Sequence, residues 1–439
     1  MTRRQLLLAA VAAQARPNVV LILADDLGSS DLSSYGARDL RTPHIDSLGR
    51  DGARFSHFYA NAPECSPTRA ALMTGRYQQR VGGLECAIGV GNVGRYDEAV
   101  WLAERGELGL PPEETSIAAM LKKSGYDTCC SGKWHLGYGD RFSANRHGFD
   151  EYFGILGGNA DYFTHREDDG TNVLYHNGKP VERTGYITDL FADHAIEWLS
   201  RRSRSKPFFL YLPFTAPHSP LQGPKGGAST GRRATYIEMV EHMDRRIGDV
   251  LAQLDRIGAS SNTVVVFMSD NGGPIGQGAT NTPLRGAKSG VFEGGLRVPC
   301  LIRWRGVVRP DTVCDQVAIT MDLTATLLAA AGIKPARPLD GVDLAPVLTG
   351  KRKPAARTLY WSYKRADNRR YAVRDGDWKY AIDNRDEFLF HLRKDPGEKN
   401  NLLASESKIV ASMKSKLEDW KRATAPARLR GFLRSAPQE

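Results

Sequence analysis

Several stretches of the chain are almost uninterruptedly apolar: residues 18–24 (NVVLILA), 208–212 (FFLYL), 263–268 (TVVVFM) and 298–304. Short apolar runs of this kind, bounded by turn residues, predict buried strands. Between them the pattern switches to helical spacing, over 116–123, 187–200, 236–257 and 321–331. Alternating strands and helices predict an α/β domain, a large, mixed but mostly parallel sheet sandwiched by helices. After about residue 346 the runs become short and alternating, over 358–363, 371–374, 378–382 and 387–391, with Asp375-Gly376 as a tight-hairpin signal between two of them. A small antiparallel sheet is expected there, covered by a helix over 407–421. The chain thus divides into a main domain over 16–345, an α+β subdomain with an antiparallel sheet over 346–422, and a basic, Pro- and Ala-containing tail over 423–439 expected to be poorly ordered.

Length and composition leave this picture intact. The 439 residues are 41% hydrophobic and 25% charged, close to globular usage, which excludes collagen-like, disordered and small disulfide-scaffold classes. The net charge of +10 would by itself suggest a polyanionic partner. Its distribution weakens that idea: Arg3 and Arg4 carry +2 at the start, residues 421–439 carry five basic side chains against Glu439, and only +4 is left for residues 16–420. Residues 1–15, with Arg3-Arg4, a short apolar run and an Ala13-Gln14-Ala15 end, read as an export signal and also resemble a twin-arginine leader. The expected location is therefore periplasmic or extracellular, in a bacterium. A buried N-terminal helix is the plainer alternative, because the run is too short to span a bilayer. No other stretch is long and apolar enough to span one. Six cysteines, at 65, 86, 129, 130, 300 and 314, form neither a dense disulfide framework nor a paired zinc motif. Cys129 and Cys130 lie next to each other in an expected strand, where their side chains face opposite sides and a mutual bridge would be strained.

Chemistry gathers at the strand exits. Asp25 and Asp26 follow NVVLILA directly, and Asp270 and Asn271 follow TVVVFM and precede Gly272-Gly273. Ligand sites of open α/β sheets lie beyond the carboxyl ends of the strands. Three carboxylates and an amide are hard oxygen donors suited to calcium or magnesium, although either pair alone is more ordinarily a turn or helix cap. Pro67, placed for a first helical turn, and the helix formers Ala70 to Met73 put Cys65 at a helix N-terminus. A thiolate of lowered pKa is plausible at such a position, and a buried structural cysteine is the plainer reading. His135, His218, Lys133 and Lys288 taken singly are ordinary core or surface residues.

The segment Cys65-Ser66-Pro67-Thr68-Arg69, followed by Thr74-Gly75-Arg76, resembles the C-x-P-x-R signature of type I sulfatases, in which the cysteine is oxidised to formylglycine. LADDLG, Ser269-Asp270-Asn271-Gly272, Gly132-Lys133-Trp134-His135-Leu136-Gly137, Ala216-Pro217-His218-Ser219-Pro220, Pro283 to Lys288 and Glu293 to Pro299 extend the resemblance from residue 17 to about 300, in the style of arylsulfatase A and N-acetylgalactosamine-6-sulfatase. The resemblance implies an alkaline phosphatase-like fold and a hydrolase that releases sulfate from a sulfate ester, with a sulfated carbohydrate or other sulfated small molecule as partner. It further implies a calcium ion held by Asp25, Asp26, Asp270, Asn271 and the modified Cys65. Arg69 would hold the aldehyde hydrate, Lys133 and Lys288 would contact sulfate oxygens, His218 would protonate the leaving alcohol, and His135 would take the proton that lets sulfate depart. A formylglycine-generating enzyme is the implied maturation partner, and a nucleic acid is not expected. Two other functions fit the same sequence, a phosphonate monoester or phosphodiester hydrolase with the same aldehyde, and a noncatalytic glycan-binding homologue. For the sugar pocket, residues 83–110 and 157–177 are candidates, the latter with Asp161, Tyr162 and His165.

Overall fold

A computed structural model describes residues 16–89, 96–167, 169–226 and 231–435. The export-signal reading of residues 1–15 lies outside them. The strand Asn18–Ala24 lies inside a large mixed sheet, with Phe208–Pro213 on one side and Thr263–Ser269 on the other, both parallel to it. Asp127–Ser131 and Glu151–Ile155 continue the parallel run beyond Phe208–Pro213. The run ends in reversals: Leu174–His176 and Lys179–Pro180 close one edge antiparallel, and Cys300–Trp304 pairs antiparallel with Thr263–Ser269. Ala53–Phe55 and Thr312–Cys314 complete the other edge.

The unbroken apolar runs follow from burial on both faces. Val19, Leu21 and Leu23 enter one core and Val20, Ile22 and Ala24 the other, as a repeat of two residues requires. Cys130 and Cys129 part in the same way, and all six cysteines are free. The helix Arg232–Arg256 seals the second face with Tyr236, Met239, Val240, Met243, Ile247, Val250 and Leu254, a stripe spaced three and four residues apart. On the first face the helix Cys65–Thr74, buried at every residue, packs on Thr320–Ala330.

The small antiparallel sheet is present and is more regular than the sequence pattern suggested. Thr358–Arg365, Asn368–Asp375, Trp378–Asp383 and Asp386–His391 form a meander with three two-residue turns, at Ala366, Gly376 and Asn384, each residue having φ near +50° or above. Met413, Leu417 and Trp420 of the helix Ser407–Thr424 share its core with Leu359, Trp361, Tyr380 and Phe390. Over the described residues as far as 435, the expectation of a loose tail after residue 422 is corrected. Residues 427–435 are helical, Leu429 is buried, the Phe432 ring meets Trp101, and Arg428 donates to the carbonyls of Gly82, Gly109 and Glu107. A basic composition hid a segment anchored by two apolar side chains and one partly buried guanidinium.

Candidate active site

Four neighbouring parallel strands point their carboxyl ends at one place. Asn18–Ala24 delivers Asp25 and Asp26, Thr263–Ser269 delivers Asp270 and Asn271, Asp127–Ser131 leads to Lys133 and His135, and Phe208–Pro213 leads to His218. The first turn of the helix Cys65–Thr74 enters from the side. Cys65 is its first residue and Glu64 its extended N-cap. All the residues expected at the site except Lys288 come from these elements, and Lys288 reaches it from the loop before Glu293–Leu296.

The contacts interlock. The Cys65 thiol donates to Asp25 Oδ1 at 3.3 Å, and the Lys133 ammonium bonds Asp25 Oδ2. Arg69 sets Nε and one terminal nitrogen on Asp270 Oδ2, at 3.1 and 2.7 Å, and its other terminal nitrogen on the Lys133 carbonyl at 2.8 Å. Lys288 lies 2.8 Å from Asp26, which also accepts from Asn271 Nδ2 at 2.7 Å and faces His218 Nε2 at 3.5 Å. His218 donates from Nδ1 to the Ser219 carbonyl at 2.7 Å, and His135 donates from Nε2 to the Ile88 carbonyl at 2.5 Å. That leaves His135 Nδ1 buried with no hydrogen-bond partner. Asp26 and His135 both hold positive φ, +67° and +57°, a strained backbone of the kind found where side chains must be aimed.

Electrostatics follow from the crowding. Burial pushes the Asp26 carboxyl up, but the Lys288 ammonium, with hydrogen bonds from Lys288 and Asn271, outweighs it and brings it down to about 2. Burial, then the neighbouring Asp25, push Asp270 up against the pull of Arg69. Burial and the cations Lys288 and Lys133 hold His218 down to about 3, and burial with Lys133 and Arg69 holds His135 well below its ordinary value, so both imidazoles are neutral. Burial raises the Cys65 thiol, and Asp25 and Asp270 raise it further. The expectation of a reactive thiolate at the helix start is thereby corrected: two carboxylates and the loss of water outweigh the helix N-terminus.

Above this floor opens a pocket of about 370 Å³, lined by Cys65, His135, His218 and Lys288 below and by Ile88, Tyr138, Asn159, Glu167, Asp169 and Arg365 at the walls. Residues 83–110 and 157–177 do contribute walls, but not through Asp161, Tyr162 and His165. Asp161 caps Phe163 and Thr164, Tyr162 is buried and donates to the His218 carbonyl, and His165 donates to the Gly185 carbonyl. The three form the scaffold of the loop. Sequence reasoning missed Glu64 and Arg365. Glu64 is buried and accepts from Ala87 N, Ser289 Oγ, Tyr363 and Arg365, the last two from the small C-terminal sheet. Arg365 ends the strand Thr358–Arg365 with no local signature, and only the docking of the two sheets reveals it. Arg69, expected to hold the hydrate, engages Asp270 and the Lys133 carbonyl beside Cys65.

A family model described as Sulfatase matches residues 17–333, and one described as N-sulphoglucosamine sulphohydrolase, C-terminal, matches residues 287–423. The chain is 35% identical to N-acetylgalactosamine-6-sulfatase of Homo sapiens over 349 residues, covering 76% of this chain and 66% of that protein. It is 31% identical to arylsulfatase A of Bos taurus over 460 residues, covering 92% and 87%. The structure of Ps i-CgsB in complex with k-i-k-neocarrahexaose superposes with a TM-score of 0.83 at 33% identity, covering 92% of this chain and 93% of that one. The chain spans about two thirds of the length of the N-acetylgalactosamine-6-sulfatases it matches.

Proposed function

The chain belongs to the sulfatase family, and from that membership we propose that it is a sulfuric ester hydrolase acting on a sulfated carbohydrate through an oxidised Cys65 and one calcium ion. The observation that carries this reading is that Cys65, His135, His218 and Lys288 line one pocket floor, with Lys133 and the carboxylates of Asp25 and Asp26 bonded directly behind it. The printed names of its relatives favour a carbohydrate, since they include a sulfatase of N-acetylgalactosamine and a neighbour solved with neocarrahexaose.

The residues fit a hard divalent cation. Asn271 Oδ1 is buried with no hydrogen-bond partner, and donor atoms of Asp25, Asp26, Cys65 and His218 all lie within 4.8 Å of one another. Asp25, Asp26, Asp270, Asn271 and the oxidised side chain at 65 would hold calcium, with Arg69 bracing Asp270. Bound there, calcium supplies positive charge that polarises the sulfate and favours the ionised nucleophile. The thiol of Cys65, raised by burial, is a poor nucleophile at neutral pH, and its oxidation to formylglycine by a formylglycine-generating enzyme supplies an aldehyde hydrate instead.

Lys288, which faces the pocket, and Lys133, buried behind it, offset charge on the sulfuryl oxygens. His218 hands a proton from Nε2 to the departing alcohol. Burial first, then Lys288 and Lys133, hold this imidazole neutral, and the negative charge of a bound sulfate ester would oppose the two cations and favour the protonated form. His135, with Nδ1 unpartnered, takes the proton whose loss lets sulfate leave and the aldehyde re-form. Residues 1–15 support export to the periplasm or beyond.

Mass spectrometry of the tryptic peptide spanning residues 55–69, from protein made in the native host, tests the reading together with sulfate release from sulfated monosaccharides. An aldehyde-bearing peptide and sulfate release are expected. An unmodified thiol in that protein, or turnover of phosphonate esters but not sulfate esters, sinks it. Cys65→Ser is expected to accumulate covalent sulfate with little turnover, because a serine sulfate has no second hydroxyl to expel it.

A further inference from the structure

At the amino end of the strand Glu151–Ile155, a second cluster gathers Glu151, His176 from an edge strand and His194 from the helix Ile187–Arg201. Their donor atoms all lie within 4.8 Å of one another. His194 Nδ1 is 3.1 Å from Ser131 Oγ, whose own proton is donated to the Phe191 carbonyl at 2.8 Å. Ser131 can therefore only accept, and His194 carries its proton on Nδ1. Its Nε2 then turns a lone pair toward Glu151 Oε1 at 2.8 Å. His176 Nε2, buried and without a hydrogen-bond partner, faces the same oxygen from 3.7 Å. Two imidazole nitrogens and a carboxylate oxygen thus converge on one spot, where they can share a cation.

We propose that Glu151, His176 and His194 form a metal site for a borderline divalent ion of the zinc class, separate from the catalytic pocket. Two imidazoles and a carboxylate suit zinc and not calcium. Zinc bonds of about 2.0–2.2 Å at tetrahedral angles place neighbouring donors roughly 3.3 Å apart, and the observed 2.8 and 3.7 Å lie on either side of that value. Ser131 accepts from His194 Nδ1, and an outer hydrogen bond of this kind fixes the tautomer and ring orientation of a metal-bound imidazole. The Phe153 ring stacks on His194 at 4.8 Å and meets His176 edge-on at 6.1 Å, so both imidazoles are held in place before an ion arrives. The competing cation is Arg201, whose guanidinium bonds the same Glu151 oxygen. It is half exposed and reaches Glu197 at 4.0 Å, so it can swing off when the ion binds.

The test uses tag-free, metal-stripped full chain, saturated with calcium to occupy the catalytic carboxylates, and titrated calorimetrically with zinc chloride. One zinc per chain is expected in the wild type. His194→Ala and His176→Ala should each weaken binding by at least about tenfold, and Arg201→Ala should tighten it by about tenfold as a unit positive charge is removed beside the ion. The Arg201 variant alters an exposed side chain, so its result stands even if a histidine variant folds poorly. Cobalt in place of zinc should give a tetrahedral absorption band that His194→Ala lacks. No zinc uptake by the wild type, or equal affinity in wild type, His194→Ala and Arg201→Ala, overturns the proposal.

Discussion

His135 and His218 share one pocket but present different atoms to it, since Ile88 engages Nε2 of the first and Ser219 engages Nδ1 of the second. Their variants should therefore differ. Replacing His218 with Ala is expected to lower kcat about 10²-fold or more for a sugar sulfate, whose alcohol leaves poorly, and far less for a nitrophenyl sulfate, whose phenolate needs no proton. His135→Ala should slow both substrates alike, and comparison of the two leaving groups checks the assignment. Crowding of Asp25, Asp26 and Asp270 yields a second expectation with no catalytic readout. Calcium should raise the melting temperature of the unmodified, thiol-bearing protein, a chelator should reverse the gain, and Asn271→Ala should abolish most of it. No thermal shift with calcium would remove the case for a metal among these carboxylates. Much of this pocket was legible because the C-x-P-x-R run and the strand-exit acids are local patterns. Glu64 and Arg365 were not, since one is an unremarkable acid beside the cysteine and the other meets it across 301 positions of sequence.

The strands that deliver these residues were legible wherever burial on both faces made them continuously apolar. Ala53–Phe55 and Thr312–Cys314 are too short to show a period, and they are strands only because the sheet edge pairs them. Glycine sets how closely the delivering strands approach. A Cβ on Gly154 would fall 1.7 Å from the Gly132 carbonyl oxygen, a backbone atom that no rotamer can move aside. Gly154→Ala is thus expected to cost about 3 kcal/mol in urea unfolding. It should also lower activity through Lys133 and His135, which follow Gly132. Stability and activity both unchanged would show that the two strands are not held as described.

The two sheets are joined by charges withdrawn from water. Lys379 of the small sheet is wholly buried and lies 2.9 Å from both Glu293, of the main domain, and Glu398. Lys379→Met takes the ammonium away from buried Glu293 and Glu398 and should destabilise the protein by roughly 3–5 kcal/mol. Glu398 adds a dependence on pH. Burial pushes its carboxyl up to about 7, so the folded chain holds a proton there that the unfolded chain, titrating near 4.5, has lost. Stability from this group therefore declines as pH rises from about 4.5 to 7. Thermal melts of Glu398→Gln should show a flatter profile over that window than the wild type, and an unchanged slope would contradict the assignment.

The docked helix also imposes an order of events on biosynthesis. Only 1% of Cys65 is exposed, in a helix that is buried along its whole length. A macromolecular catalyst that must grip the residues around this thiol has no segment to grip once the chain has folded. The proposed oxidation of Cys65 would therefore have to precede folding, and the fold would then preserve whichever side chain it closed over. Protein folded with the thiol intact should stay a thiol when incubated with the modifying enzyme, and should become a substrate for it only after denaturation.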